Sequence, residues 1–250
     1  MEKGSDVTGF VLMAGAGSRL RGIFPNIPKP LVPVDGVPMG IRVIRQMRDA
    51  GISRIIVNLH HDAGTIREGI SRALPSGIEI LWSYEDIVMG TGGGILHAKP
   101  FFQESDILVV ATCDILTGYD LGKGILAHRT SGERISLVLS PSGPESESGR
   151  IATTQNEGVA FPPFDSVAGD VPHFFTGIHL INPDVFSGLG ENLAPPFSIV
   201  ELYREYLGKG GFIRAQVTSE PWLDLGTEDG YRHRESFLEE LRQGSGRRER

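Results

Sequence analysis

The 250-residue sequence holds a single cysteine, Cys113, which excludes an internal disulfide. No apolar run approaches the roughly 20 residues of a membrane span. The polar start, Met1 to Asp6, offers no signal peptide. Together these absences lead to the expectation of a soluble cytoplasmic protein with no membrane partner. Positive charge is also short: 24 Lys and Arg face 31 Asp and Glu, a net charge of −7. That balance argues against nucleic acid as a general partner, because affinity for it comes largely from surplus cations on phosphates. Any anionic ligand must be held by local clusters instead. No internal repeat and no linker divides the chain, so residues 1–243 are expected to form one domain, with 244–250 as a frayed tail.

Glycine, by contrast, is plentiful, at 33 residues against a typical share of roughly 7%. The glycines gather at the ends of apolar runs, which fits loops that approach a ligand. The clearest case begins with Val7 to Met13, an apolar run that stops abruptly at Ala14-Gly15-Ala16-Gly17-Ser18-Arg19. This pattern reads as a buried strand feeding a glycine loop. Gly15 and Gly17 let the backbone turn tightly. Successive N–H groups from Ala14 to Ser18 then form an anion-binding concavity. Arg19 and Lys29 add full positive charge on either side of a proline-stiffened segment. Arg grips phosphate bidentately and Lys acts as a point charge, so the stretch reads as a triphosphate cradle.

Two better-known phosphate loops are excluded. A P-loop needs Lys-Ser or Lys-Thr directly after its last glycine, and Gly17 is followed by Ser18-Arg19. A dinucleotide fingerprint needs a small residue where Leu20 stands and an acid at the end of the second strand, which closes as Val57-Asn58-Leu59-His60.

Further on, strands alternate with helical patterns, as in a mostly parallel, doubly wound, Rossmann-like α/β sheet. Strands are expected at Arg54–Leu59, Ile78–Tyr84, Ile107–Ala111, Ile135–Leu139, His173–Leu180 and Phe212–Val217. Helices are expected from Pro38 to Ala50, Asp62 to Leu74, Ile95 to Ala98, Leu121 to Thr130, Ser198 to Leu207 and Thr227 to Leu241. Two short pieces, Ile151–Thr154 and Gly158–Phe161, suggest a hairpin, and residues 140–181 a small β-rich acceptor lid. Pro141 to Ser148 is read as a mobile loop and Pro162 to Asp170 as another loop. Asn58 falls at a strand's carboxyl end, where open α/β sheets bind ligands, although turn chemistry explains an Asn there equally well. Gly90-Thr91-Gly92-Gly93-Gly94 precedes a helix and offers it backbone N–H groups. Asp114 ends a fully apolar strand, a costly place for a carboxylate unless it is paired or metal-bound. Gly177 either admits a ligand to the backbone or marks a strand bulge.

Gly-x-Gly-Ser-Arg-Leu followed by Pro-Lys-Pro-Leu resembles the signature of the sugar-1-phosphate nucleotidyltransferases, or nucleotide-sugar pyrophosphorylases. Met89-Gly90-Thr91-Gly92-Gly93-Gly94-Ile95, Phe175-Thr176-Gly177-Ile178 and Trp222-Leu223-Asp224-Leu225-Gly226-Thr227 extend the resemblance from about Val7 to about Leu241. The combination is most similar to short bacterial members such as the N-acetylmuramate-1-phosphate uridylyltransferases. The resemblance implies a nucleoside triphosphate and a sugar 1-phosphate as substrates, and Mg²⁺ held by Asp114 and Asp224. It sets Arg19 and Lys29 on the leaving pyrophosphate. It lays the nucleotide along Ala14, Gly15, Gly17, Ser18, Asn58, Gly90, Thr91, Gly92 and Gly93, and the sugar near Gly177. Gly22 stands where the family usually has Pro, which is expected to loosen the loop. Met13 replaces a usual Ala and is expected to change only packing.

Larger members carry a Glu-Lys-Pro triplet whose Lys binds the sugar phosphate. This chain lacks it, and no lysine lies between Lys123 and Lys209. Arg150 and His173 are the candidate substitutes. Three alternatives remain beside this reading. One is a cytidylyltransferase acting on a non-sugar phosphate such as phosphocholine. Another is a nucleotide-binding module without turnover, against which Lys29, Asp114 and Asp224 argue. The third, a glycosyltransferase on a similar fold, needs an Asp-x-Asp pair, which the sequence does not contain.

Overall fold

The computed structural model describes residues 7–143, 150–154, 156–161 and 171–248. Strand β1 (Val7–Leu12) runs into the glycine loop. A small hairpin of β2 (Pro33–Val34) and β3 (Val37–Pro38) follows. Then come α1 (Met39–Asp49), β4 (Arg54–Leu59), α2 (Ala63–Ala73), β5 (Glu79–Tyr84), α3 (Gly90–His97), β6 (Ile107–Thr112), β7 (Ile115–Thr117), α4 (Leu121–Ser131) and β8 (Ile135–Ser140). The second half holds β9 (Arg150–Thr153), β10 (Val159–Ala160), β11 (Val171–Ile181), α5 (Ile199–Gly208), β12 (Ile213–Val217), β13 (Trp222–Asp224), α6 (Glu228–Arg232) and α7 (Arg234–Arg248).

Strand β1 lies between β4 and β6, parallel to both, and β5 continues the parallel row beyond β4. The chain builds outward from β1 to one side and then crosses to β6 on the other. That reversal opens a crevice at the carboxyl ends of β1, β4 and β6. Register fixes what borders it, because Leu12 is opposite both Asn58 and Thr112.

Side chains alternate across the sheet. Phe10 faces the layer that holds Leu202 and Tyr203 of α5, while Val11 faces Ile41, Ile44 and Met47 of α1. A third cluster joins Leu20 and Val32 to Leu225, Tyr231 and Leu238. The Tyr231 hydroxyl donates to the Pro33 carbonyl at 2.6 Å. This cluster clamps the C-terminal segment against the glycine loop, so the last motif in sequence packs beside the first.

Several expectations change. The β-rich lid is continuous with the main sheet. The C-terminal half of β11 pairs antiparallel with β6, its N-terminal half pairs with β9, and β8 runs along its length. An 11-residue strand is long enough to serve both regions. Helix α3 starts at Gly90, not Ile95, because the glycine run packs against residues 197–198. The final helical stretch is two helices, α6 and α7, and α7 continues to Arg248 where a frayed tail was expected. Two glycines there, Gly244 and Gly246, weaken the helix. Most of the expected mobile loop at 141–148 and all of the loop at 162–170 lie outside the described residues. No helix among those described is long and apolar enough to cross a membrane.

Candidate active site

The glycine loop leaves β1 at Met13. Gly17 adopts the left-handed region, with φ of 62°. A Cβ on Gly17 would stand 2.7 Å from the Lys29 Cβ. The loop therefore folds down onto Lys29, and only glycine allows both the conformation and the approach. Gly15 has open space above it. Ser18 begins a short 3₁₀ turn with Arg19 and Leu20. Gly22 abuts the carboxylate end of Glu228, a flexible and partly exposed side chain.

Lys29 forms an ion pair with Asp114, and both side chains are largely buried. Burial, the largest single influence, favours neutral forms at both positions, but the partner's charge together with hydrogen bonds and other neighbours outweighs it. The Asp114 carboxyl is thereby held below its ordinary range and the Lys29 ammonium above its own. Asp224 behaves differently. Burial, then the neighbouring Asp114 charge, push its carboxyl upward. Arg19 lies 3.7 Å away and is itself 60% exposed, a weak counterweight. Burial pushes the adjacent Cys113 thiol up to about 12, so it is not a thiolate nucleophile.

The two carboxylates are brought together by a ladder absent from the expected strands. Strand β13 pairs antiparallel with β7, and Asp224 is opposite Ile115, the residue after Asp114. The Leu225 N–H donates to the Asp114 carbonyl at 2.8 Å, and the Gly226 N–H to Asp224 Oδ1 at 2.7 Å. A Cβ on Gly226 would collide with Asp114 Oδ2. It would also stand 2.9 Å from Asp224 Oδ1 and 3.0 Å from an Arg19 guanidinium nitrogen. Three charged groups thus converge over a glycine whose replacement would force them to shift.

Two cavities meet at this point. One, of about 260 Å³, is bordered by Ala14, Gly15, Asn58, Gly90 and Thr91. The other, of about 560 Å³, is bordered by Ser142, Phe175, Gly177, Trp222 and Asp224. Arg19, Thr112 and Asp114 line both. Gly177 sits at a register shift in β11, with φ of 84°. A Cβ there would stand 2.7 Å from Thr112 Oγ1. It is both a bulge and a wall of the larger cavity.

The family model for nucleotidyl transferase matches residues 8–240. The chain belongs to the nucleotidyl transferase family. It is 26% identical over 233 residues to the D-glycero-alpha-D-manno-heptose 1-phosphate guanylyltransferase of Aneurinibacillus thermoaerophilus, covering 92% of this chain and 97% of that protein. It is 27% identical to the N-acetylmuramate alpha-1-phosphate uridylyltransferase of Neisseria meningitidis, covering 87% and 92%. The mannose-1-phosphate guanylyltransferase of Mycobacterium tuberculosis is 25% identical, but the match spans 62% of its length. A solved structure of a putative glucose-1-phosphate thymidylyltransferase from Bacillus anthracis shares the fold. Its TM-score is 0.78 at 22% identity, covering 92% of this chain and 94% of that one. The three curated relatives carry two different nucleotides in their names, and the expected class of enzyme runs through all of them.

Within this nucleotidyl transferase, Gly92 and Gly93 are not open to the cavity as the glycine run suggested. The Gly92 N–H donates to the Phe197 carbonyl at 3.0 Å, and the Phe197 ring covers both residues. Gly90 and Thr91 remain at the cavity wall. Arg150 and His173 lie on β9 and β11 and border neither cavity. The Arg150 guanidinium sits over the Phe174 ring, and His173 contacts Thr153. Arg19 is the one Lys or Arg among the described residues lining the larger cavity. Sequence reasoning missed Thr112, Gly226 and Glu85. Thr112 and Glu85 both close strand regions at the ligand edge, which was their available signal.

Proposed function

We propose that the chain joins a nucleoside triphosphate to a sugar 1-phosphate, releasing pyrophosphate and a nucleotide-sugar. The observation that carries this reading is the meeting of two cavities at Arg19, Thr112 and Asp114, with Asp224 beside them. One cavity is walled by glycine-rich backbone, as triphosphate binding requires. The other has aromatic and small residues suited to a sugar ring. The sugar-1-phosphate substrates in the relatives' names agree with it.

A phosphate monoester is mostly dianionic near neutral pH, its second pKa being about 6, so the attacking oxygen needs no strong general base. What the reaction needs is alignment and neutralisation of charge. Arg19, facing both cavities, bridges donor and acceptor phosphates. Lys29, beneath the glycine loop, offsets charge on the departing pyrophosphate. Because Lys29 is paired with Asp114 in the ligand-free protein, phosphate must compete with that carboxylate for the ammonium.

The donor set fits a magnesium ion. Asp114 and Asp224 converge, and burial followed by the neighbouring Asp114 charge raises the Asp224 carboxyl, a cost that a cation held between them would relieve. Among the described residues no cluster of three or more His, Cys, Asp or Glu side chains forms a metal site. Two carboxylates suit an ion that takes its other ligands from phosphate and water. Asp114 and Asp224 would hold Mg²⁺, which supplies charge neutralisation at the transferring phosphoryl group.

The test is pyrophosphate release from each nucleoside triphosphate crossed with a panel of sugar 1-phosphates, including phosphocholine as a non-sugar acceptor, with and without chelator. Release is expected only with a matched triphosphate and sugar phosphate, and only with divalent metal present. Release with phosphocholine alone would move the enzyme to the non-sugar class. No release with any pair would leave a binding module.

A further inference from the structure

Three chain segments meet at the wall of the smaller cavity through two largely buried side chains, Asn58 and Glu85, which both line it. The Met13 N–H, where β1 becomes the glycine loop, donates to Asn58 Oδ1 at 2.7 Å. Asn58 Nδ2 donates to Glu85 Oε1 at 2.7 Å. The second Glu85 oxygen accepts the Met89 N–H at 3.1 Å, just before α3. Asn58 is 3% exposed and Glu85 5%. The polarity of this chain is forced. Met13 N–H can only donate, so Asn58 must turn its oxygen toward it and leave its NH₂ for Glu85. Glu85 is fixed from its backbone too, since its carbonyl accepts from His60 Nδ1 at 2.7 Å.

Two donors converge on residue 85, so it must present two acceptors. A carboxylate does so and an amide does not. Gly94 is small for the same reason. A Cβ there would stand 2.5 Å from Glu85 Oε1 and 3.0 Å from Asn58 Nδ2. Asn58, expected on the nucleotide, borders the smaller cavity and also bonds each end of its amide within the protein.

We infer that Glu85 is a positioning residue for the nucleotide. Through Asn58 it sets the angle at which the glycine loop leaves β1. Through the Met89 N–H it sets the start of α3, whose Gly90 and Thr91 form the opposite wall. One carboxylate thereby holds the two walls at a fixed separation. The inference rests on the nucleotide reading of this cavity.

The test uses Glu85→Gln, Asn58→Asp and the double variant. In the double, the carboxylate placed at position 58 accepts from Met13 N–H and from the amide placed at position 85. The oxygen of that amide accepts from Met89 N–H. The bonds are restored with the link between the two positions reversed. Two readouts are taken: KM for triphosphate against KM for the acceptor, and amide hydrogen exchange over residues 10–17 and 86–92. Each single variant is expected to raise the triphosphate KM on the order of 10-fold, about the 1.4 kcal/mol that loss of a buried hydrogen bond removes. The acceptor KM should change little, and exchange should rise in both segments. The double should recover both readouts. A merely structural role would lower stability without this asymmetry between substrates. Faster exchange in Glu85→Gln confined to residues 86–92, or a double variant no better than the worse single, would overturn the inference. If a single variant does not fold, the double must fold with wild-type exchange, and a double that also fails overturns the pairing. Exchange needs no turnover. A wild-type protein inactive on every triphosphate would count against the proposed reaction, while the exchange data would still judge the coupling.

Discussion

Asp114 and Asp224 are the same residue type a few ångströms apart, yet the same substitution should move stability in opposite directions. Asp114 is matched by buried Lys29, and its carboxyl is held low. Asp114→Asn strands that ammonium, and breaking a buried pair from one side costs about 3 kcal/mol or more. Asp224 carries a raised carboxyl, so its ionisation opposes folding. The sign follows from linkage. A carboxyl whose folded pKa lies above its unfolded value gives its full stabilising share below the unfolded pKa. It loses that share as pH rises through the folded pKa. In ligand-free protein at neutral pH, Asp224→Asn is therefore expected to raise Tm, and the gain should vanish as pH falls below the ordinary Asp value. The Gly226 N–H can still donate to the Asn oxygen, so the local turn survives. Thermal melts of both variants from pH 3 to pH 8 check this. A fall in Tm for Asp224→Asn at neutral pH would show that its charge is well compensated without ligand.

At the scale of elements, α3 shows how tertiary contacts override propensity. Four glycines in five residues read as a loop, yet the helix begins there because Gly90, Gly92 and Gly93 admit the Phe197 segment. A methyl at Gly92 would lie 2.7 Å from the Phe197 ring. Gly92→Ala should destabilise by about 1–3 kcal/mol through overpacking, measured by urea unfolding. An unchanged midpoint would mean that the Phe197 segment is free to shift. Long periodic elements were legible in the sequence: β4 has its expected limits, and α5 begins at the expected Ser198 cap, which forms a full capping box with Glu201. Short elements were not. Strands β7 and β13 have three residues each and lie about a hundred residues apart, so neither carries a period of its own. Their pairing exists only once the core has brought them together. The site followed the same division. Arg19, Lys29, Asp114 and Asp224 stood out as charges beside glycine or at strand ends. Glu85 stood at a strand end and Gly226 within a motif, but the contacts through which they act, like the Phe197 cover over Gly92, come from distant segments that no local pattern records.

For the molecule as a whole, the decisive feature is that its two halves each supply one carboxylate. Asp114 follows β6 of the parallel half, and Asp224 ends β13 near the C-terminal helices. The hydrophobic cluster joining Leu20 and Val32 to Leu225 and Tyr231 holds the second against the first. The two cavities share a boundary at this seam, with Asp114 lining both and Asp224 the larger, so the donor and acceptor phosphates of the proposed reaction would meet beside the pair. If one divalent ion bridges them, they form a single functional unit. Asp114→Asn and Asp224→Asn should then each lower kcat/KM on the order of 10³-fold, about 4 kcal/mol of transition-state stabilisation at about 1.4 kcal/mol per tenfold. The double variant should be little worse than either single, because the first substitution already removes or misplaces the ion. Raising the metal concentration should partly rescue Asp224→Asn, which keeps the Lys29–Asp114 pair, and rescue Asp114→Asn less, because its free ammonium repels a cation. The measurement is kcat/KM for the three variants across a metal titration. Multiplicative losses in the double, or equal rescue of both singles, would mean that the carboxylates act independently and that no shared ion joins the two halves.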